Sequence, residues 1–329
     1  MNFRLKPAGG PFDDPALLVC PNNSNNLLLF DCGTLHGLRT KDLLKVRWLV
    51  LSHLHIDHLI GFDHLLRVRL FSDLPLMVFG PPGTTEVIGH RLKGYSWNLT
   101  SGSPFWVETI DLSSPLAPIV GATYRCEEQF DREELDSSVL FSGERTLTLR
   151  EDLSLSWYPV DHGVPCYCYL LRKNLLAKFS QEMCIRLGLK PGSWVQKLLD
   201  SSDEDFGLEV EGEWRNREWL SERLLSHRDD EMIGYLTDTR LVEPLFQNLS
   251  KFFYKVDILA CETAYLASEE RLADKNLHMT THQGANLARC CGAKELHLFH
   301  LSRRYQESGS ERHLEEARSI FPQARLLKA

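Results

Sequence analysis

Residues 51–61 read LSHLHIDHLIG and put His53, His55, Asp57 and His58 within six positions, directly after the apolar run VRWLVL (46–51). Each of these side chains is a metal ligand, and the spacing points them in different directions. Two histidines separated by one residue of extended chain project the same way, so His53 and His55 can grip one ion together. The turn that follows lets Asp57 and His58 face a second ion. An ordinary polar strand end explains the cluster poorly, because ionisable groups seldom crowd together without a partner.

A dinuclear site needs more ligands, and three later strand ends offer them. His162 follows the alternating run in LSLSWYPVDHG, Asp238 ends IGYLTDT, and His300 stands in ELHLFHLSRRY. A lone strand-end histidine is more often a hydrogen-bonded structural residue. Three such positions beside an H-x-H-x-D-H cluster reverse that weighting. Seven ligands, five histidines and two aspartates, suit two ions that each keep an open position.

The rest of the chain sets the frame. Its 329 residues are 43% hydrophobic and 25% charged, which is the balance of a globular protein with ample core. The net charge of −8 gives no global field for nucleic acid, so a polyanionic substrate would need a local patch. The N-terminus MNFRLKPAGG has no apolar signal core, and no run approaches the length of a membrane span; the expectation is a cytoplasmic protein. Nine scattered cysteines without a C-x-x-C pair point to reduced, mostly buried thiols, with Cys166 and Cys168 sharing one face of a strand.

Short apolar runs bounded by Gly, Pro, Asn and Asp dominate the first 170 residues, with helical patterns at 60–71 and 83–94. After residue 231 strands and helices alternate. The expectation is an α/β layered sandwich formed by one domain over 1–329, with 174–230 as a candidate inserted arm. That stretch opens basic, with six Lys or Arg against two acids between Leu171 and Asp200, and then turns acidic in SSDEDFGLEVEGE. A solvated surface excursion reads the charge pattern equally well.

In combination these motifs resemble the metallo-β-lactamase superfamily and, more finely, its ribonuclease Z family. The segments that carry the finer match are VDHGVPCYCYLL, YLTDT, CETAY followed by HMTTHQGANLA, FHLSRRY, and LGLKPGSWVQKLL in the arm. The resemblance spans about residues 27–305. It implies a four-layer αββα sandwich carrying two Zn²⁺, or manganese or iron, with His53, His55 and His162 on one ion, Asp57, His58 and His300 on the other, and Asp238 bridging. It implies catalytic roles for Asp57, Glu262 and His278, the latter two as a proton-delivering pair, and a bracing role for Asp31. It also implies cleavage of precursor tRNA 3′ ends by a metal-bridged hydroxide in a homodimer, with Lys173, Lys178, Arg186, Lys190 and Lys197 of the arm meeting RNA.

The departures are equally specific. Cys261 stands where the family has histidine, Ile56 replaces a commonly small residue, and DCGTLHGL replaces D-C-G-E-G-T. The P-x-K-x-R-N loop that reads RNA gives way to KPAGGPFDDPALLV, and the arm lacks its Gly-Pro repeat. A hydrolase of a small phosphodiester, lactone or thioester is therefore the alternative. A binding or scaffold protein with a vestigial site stands third, because all seven ligand positions are filled.

Overall fold

A computed structural model describes residues 3–22, 24–113, 120–135, 141–143, 145–174, 178–199, 206–226 and 230–328. The chain divides into two compact units, Met1–Arg172 with Met232–Ala329, and Lys173–Glu231.

The larger unit holds two eight-stranded sheets. In the first, strands Phe3–Pro7, Leu17–Pro21 and Leu27–Phe30 run antiparallel in turn. Leu27–Phe30, Val46–Val50, Leu76–Gly80 and Trp106–Asp111 then pair in parallel. In the second, Glu231–Leu236, Ile258–Glu262, Glu295–Phe299 and Ala324–Leu326 form the parallel half. Tyr167–Lys173 joins that half to the strands before it.

Side-chain alternation along these strands builds the layers. Leu28, Phe30, Trp48 and Val50 of the first sheet share one core cluster with Tyr169, Leu171, Ile233 and Tyr235 of the second. Stacked rings meet there: Phe30 faces Tyr235 across the sheets at 4.8 Å, and Tyr235 stacks on Phe299 of its own sheet at 5.2 Å. The opposite parity, Leu27, Leu29 and Leu49, packs with Phe62, Leu65, Leu66, Ile88 and Leu92 of helices Phe62–Arg69 and Thr84–Lys93. On the second sheet, Leu170, Leu236, Leu259 and Cys261 meet Leu249, Ala285, Ala288 and Ala317 of helices Leu245–Phe252, Thr281–Cys291 and Glu311–Ile320. The layer order is αββα, as the motifs implied.

Cys166 and Cys168 are buried, and their thiols donate to the carbonyls of Asp238 and Tyr158 at 3.6 and 3.5 Å. They serve packing and stand outside the clusters of metal-ligating side chains.

The smaller unit has its own core of Cys184, Leu198, Val210, Leu220 and Leu224. Helices Gln181–Arg186, Trp194–Leu199 and Arg217–Leu224 and the antiparallel pair Gly207–Val210/Glu213–Asn216 surround it. Ser180 and Asn216 cap two of these helices through Met183 N and Trp219 N. Residues 175–177, 200–205 and 227–229 of the expected arm, with the whole of its SSDED run, lie outside the described residues.

Candidate metal centre

Strand Val46–Val50 ends three positions before His53, and a 3₁₀ turn, Ile56–His58, carries the remainder of the motif to the helix at Phe62. The neighbouring strand end holds this loop tightly. Cys32 N donates to His58 O at 2.8 Å, and Gly61 N donates to Cys32 O at 2.7 Å. A Cβ on Gly33 would come within 2.5 Å of Asp57 O, and one on Gly61 would collide with Gly33 O. The D-C-G and L-I-G segments can lie this close only as glycines.

Asp31 is the anchor beneath the loop. It is fully buried, with a positive φ of 52°. Its Oδ1 accepts from Ser52 N at 2.7 Å, and its Oδ2 accepts from Ser52 Oγ, His58 Nδ1 and Tyr235 OH, each at 2.8 Å. These bonds set tautomers. With Nδ1 of His58 donating to Asp31, Nε2 is the nitrogen turned toward the cluster, 3.4 Å from Asp238 Oδ2. Ser52 Oγ spends its proton on Asp31 and so accepts from His53 Nδ1 at 3.1 Å, which leaves His53 Nε2 unprotonated to accept from His55 Nδ1 at 3.0 Å. His162 Nδ1 donates to Leu277 O at 2.9 Å and again leaves Nε2 as the bare nitrogen. Leu277 has φ of 59°, and that left-handed kink turns its carbonyl to His162 just before His278.

All seven sequence-derived positions come together. His53, His55 and His162 form one group, and Asp57, His58, Asp238 and His300 another; within each group the ligand atoms lie within 4.8 Å of one another. Asp238 is the hub. Its Oδ1 accepts from Thr237 Oγ1 at 2.7 Å and His300 Nδ1 at 2.8 Å. Its Oδ2 lies 3.8, 3.4 and 3.5 Å from Nε2 of His53, His58 and His162, and 3.9 Å from Nδ1 of His278.

The donor set fits divalent cations. It is imidazole and carboxylate throughout, with no thiolate. His58 Nε2 is buried and makes no hydrogen bond among the described residues, an arrangement that is costly without a cation. Electrostatics agree. Burial and the nearby His58 hold His53 down to about 2, the neutral form that a ligand requires. Burial opposes charge on His58 as well, but the Asp238 and Asp31 carboxylates outweigh it and push it up to about 10. Asp238 is held well below its ordinary range despite burial, by His300 and His58. Protons therefore occupy positive positions that a bound cation would take over.

Glu262 ends strand Ile258–Glu262 and is wholly buried. Its Oε1 accepts from His278 Nδ1 at 2.9 Å, and this carboxylate raises His278 against the effect of burial. Asp238, Glu262 and His278 also form a third group with ligand spacing. A capping box at Thr280 and Gln283 starts helix Thr281–Cys291 right after His278, and Glu316 ties Thr281 Oγ1 and Ala267 N together at 2.5 and 2.9 Å. A cavity of about 290 Å³ opens here, with Asp57, His278 and His300 on its wall.

The curated ribonuclease Z of Deinococcus radiodurans is 33% identical over 339 residues, spanning 98% of this chain and 96% of its own. The chain belongs to the ribonuclease Z family. The family's Geobacillus kaustophilus member is 30% identical over 307 residues, covering 91% of this chain and 85% of its own. As a ribonuclease Z family member the chain is a metal-dependent hydrolase with endoribonuclease chemistry. No family model matches it. The metallo-β-lactamase-fold protein YhfI of Bacillus subtilis superposes with a TM-score of 0.59 at 15% identity, over 99% of this chain and 96% of that one. The short form of human tRNase Z superposes at 0.54 and 18%, over 92% and 94%. At those identities the likeness shows the fold.

Sequence reasoning did not find Ser52, Tyr235, Thr237 or the Leu277 carbonyl, which orient the ligands. Only Ser52, inside the motif, carried a signal: a hydroxyl immediately before the first ligand. Of the basic residues assigned to the arm, Lys178, Arg186, Lys190 and Lys197 are exposed, whereas Lys173 is buried. Arg186 pairs with Glu182 at 2.7 Å. Among the described residues, no helix is long and apolar enough to cross a membrane.

Proposed function

We propose that the chain is a dinuclear phosphodiesterase that cuts precursor tRNA at the 3′ end of the mature sequence. The observation that carries this reading is the single oxygen Asp238 Oδ2, ringed by four histidine nitrogens at 3.4–3.9 Å and adjoining the Glu262–His278 pair. The curated relatives, which bear the name ribonuclease Z, support the substrate class.

His53, His55 and His162 would hold one ion, Asp57, His58 and His300 the second, and Asp238 would serve both. Two Zn²⁺ bound there would supply Lewis-acid charge at the phosphoryl group and a water of lowered pKa; manganese or iron suits the same donors. The chain's own residues do the remainder. Asp31, through Ser52 and His58, keeps imidazole lone pairs directed inward. Asp57, on the cavity wall, accepts a hydrogen bond from the attacking water. Glu262 holds Nδ1 of His278, so the ring's other nitrogen hands a proton to the departing ribose oxygen. The products are a tRNA with a 3′-hydroxyl and a trailer with a 5′-phosphate.

Lys173–Glu231 would be the family's RNA-docking arm, carried by a homodimer in the cytoplasm. Light scattering on the purified protein tests the dimer. The second reading, hydrolysis of a small phosphodiester, lactone or thioester, draws on the acidic GGPFDDP loop, whose Phe12 and Asp14 reach the cavity wall. Incubating the protein with precursor tRNA and, separately, bis(p-nitrophenyl) phosphate decides between them. Turnover of both supports the first reading; turnover of the small ester alone supports the second.

A further inference from the structure

The cavity beside the cluster contains one cationic side chain that the proposed chemistry does not use. Among the described residues that line it, Arg303 is the sole Lys or Arg, and it shares the wall with Asp57, His278 and His300. Its position is set by the loop at 8–16. Leu301 N donates to Pro11 O at 2.8 Å, Arg303 Nε donates to Phe12 O at 3.4 Å, and Arg303 Nη2 pairs with Asp14 Oδ1 at 2.5 Å. Asp14 is fixed in turn, because Thr34 N donates to its carbonyl at 3.1 Å beside the bracing D-C-G segment. Its neighbour Asp13 turns back to Gly10 N at 2.7 Å and takes no part. Arg304 is engaged elsewhere, 3.1 Å from Glu269.

An RNA strand brings a further phosphate with every nucleotide, and a net charge of −8 offers it no general attraction. The planar fork of an arginine matches phosphate in two parallel hydrogen bonds. Arg303 keeps 66% of its side-chain surface exposed, so its bond to Asp14 is a solvent-screened pair that a phosphate can displace. We propose that Arg303 anchors the phosphate adjacent to the scissile one, and that Asp14 is an intramolecular competitor for that anchor. This rests on the phosphodiesterase reading and specifies the substrate further: a strand with at least one phosphate beyond the bond that is cut. It also supplies, from FHLSRRY, a cation that the N-terminal loop of this chain lacks.

Binding of a fluorescein-labelled five-nucleotide oligouridylate, followed by anisotropy on the purified full chain, tests the proposal without requiring turnover. Arg303→Ala is expected to weaken binding about tenfold and to flatten its salt dependence by close to one phosphate contact. Arg303→Lys restores part of the loss. Asp14→Asn tightens binding several-fold, and the double variant binds no better than Arg303→Ala alone. Arg289→Ala, which removes an equal charge from the Thr281–Cys291 helix, binds as the parent does. Unchanged affinity in Arg303→Ala would overturn the proposal. So would an equal gain from Asp14→Asn with and without Arg303, since that would reveal a general charge effect and no specific pair. Failure of the parent protein to hydrolyse bis(p-nitrophenyl) phosphate would sink the phosphodiesterase reading separately, while the binding comparison still decides the role of Arg303.

Discussion

The edge that gathers the histidines and the Lys173–Glu231 unit treat charge in opposite ways. At the edge, Asp31, His53, His58, Asp238 and Glu262 are buried almost completely, and most of their polar atoms have a named partner. In the smaller unit, Lys178, Arg186, Lys190 and Lys197 stand in solvent around a modest apolar core. Burying charge is costly unless it is paired, so the first arrangement persists only where geometry compensates for it. Exposed charge costs little and fixes little. On the proposed reading, the edge would serve chemistry at defined atoms and the exposed cations of the smaller unit would meet RNA. Variants in the two regions should fail in different measurements.

The largest effect is expected at Asp238. Asp238→Ala should lose most of both metal ions by elemental analysis, and about 10³-fold or more in kcat, matching the several kcal/mol that bound metal contributes. Full metal retention would remove Asp238 from the hub and blur the contrast between the regions.

Next come Glu262 and His278. Either alanine variant should keep its metal and lose about 10²–10⁴-fold in kcat on RNA, whose alkoxide needs a proton. The loss should be much smaller on bis(p-nitrophenyl) phosphate, whose phenolate does not. The double variant should cost little more than either single one. Metal loss in these variants would instead assign the Asp238–Glu262–His278 group a ligand role.

Asp31 touches no proposed reactant, so its variant measures positioning alone. Asp31→Asn should lower metal affinity by about 10–100-fold, the usual cost of disturbing an outer partner of a ligating histidine. Tyr235→Phe removes one of the four bonds to the same carboxylate and should do less.

Legibility in the sequence followed the same division. H-x-H-x-D-H was readable because four candidate ligands fall within six residues, and His162, Asp238 and His300 because each follows the end of a strand-like run. The sandwich was readable for the same reason: Leu27–Phe30 and Val46–Val50 alternate between two buried faces, and each keeps the apolar pattern of such a strand. Asp31's partners were not readable, since Tyr235 lies 204 positions away and only folding joins them. Arg303 and Asp14 are separated by 289 positions for the same cause. The buried position of Lys173 was hidden because a lysine ending an apolar strand has the same local pattern whether or not its stem is covered.

The smallest effects belong to the smaller unit. Single Lys190→Ala or Lys197→Ala changes should reduce the salt slope of tRNA binding by close to one contact each and leave metal content unchanged. A large loss of turnover on bis(p-nitrophenyl) phosphate in these variants would erase the functional distinction between the two regions.

Most direct of all is to map the ends produced from precursor tRNA by the metal-loaded protein, with Asp238→Ala alongside. Attack by water predicts a tRNA that ends in a 3′-hydroxyl and a trailer that begins with a 5′-phosphate, both abolished in the variant. A 2′,3′-cyclic phosphate would contradict the account, because it requires attack by the neighbouring ribose hydroxyl. Cleavage that survives unchanged in Asp238→Ala would contradict it equally.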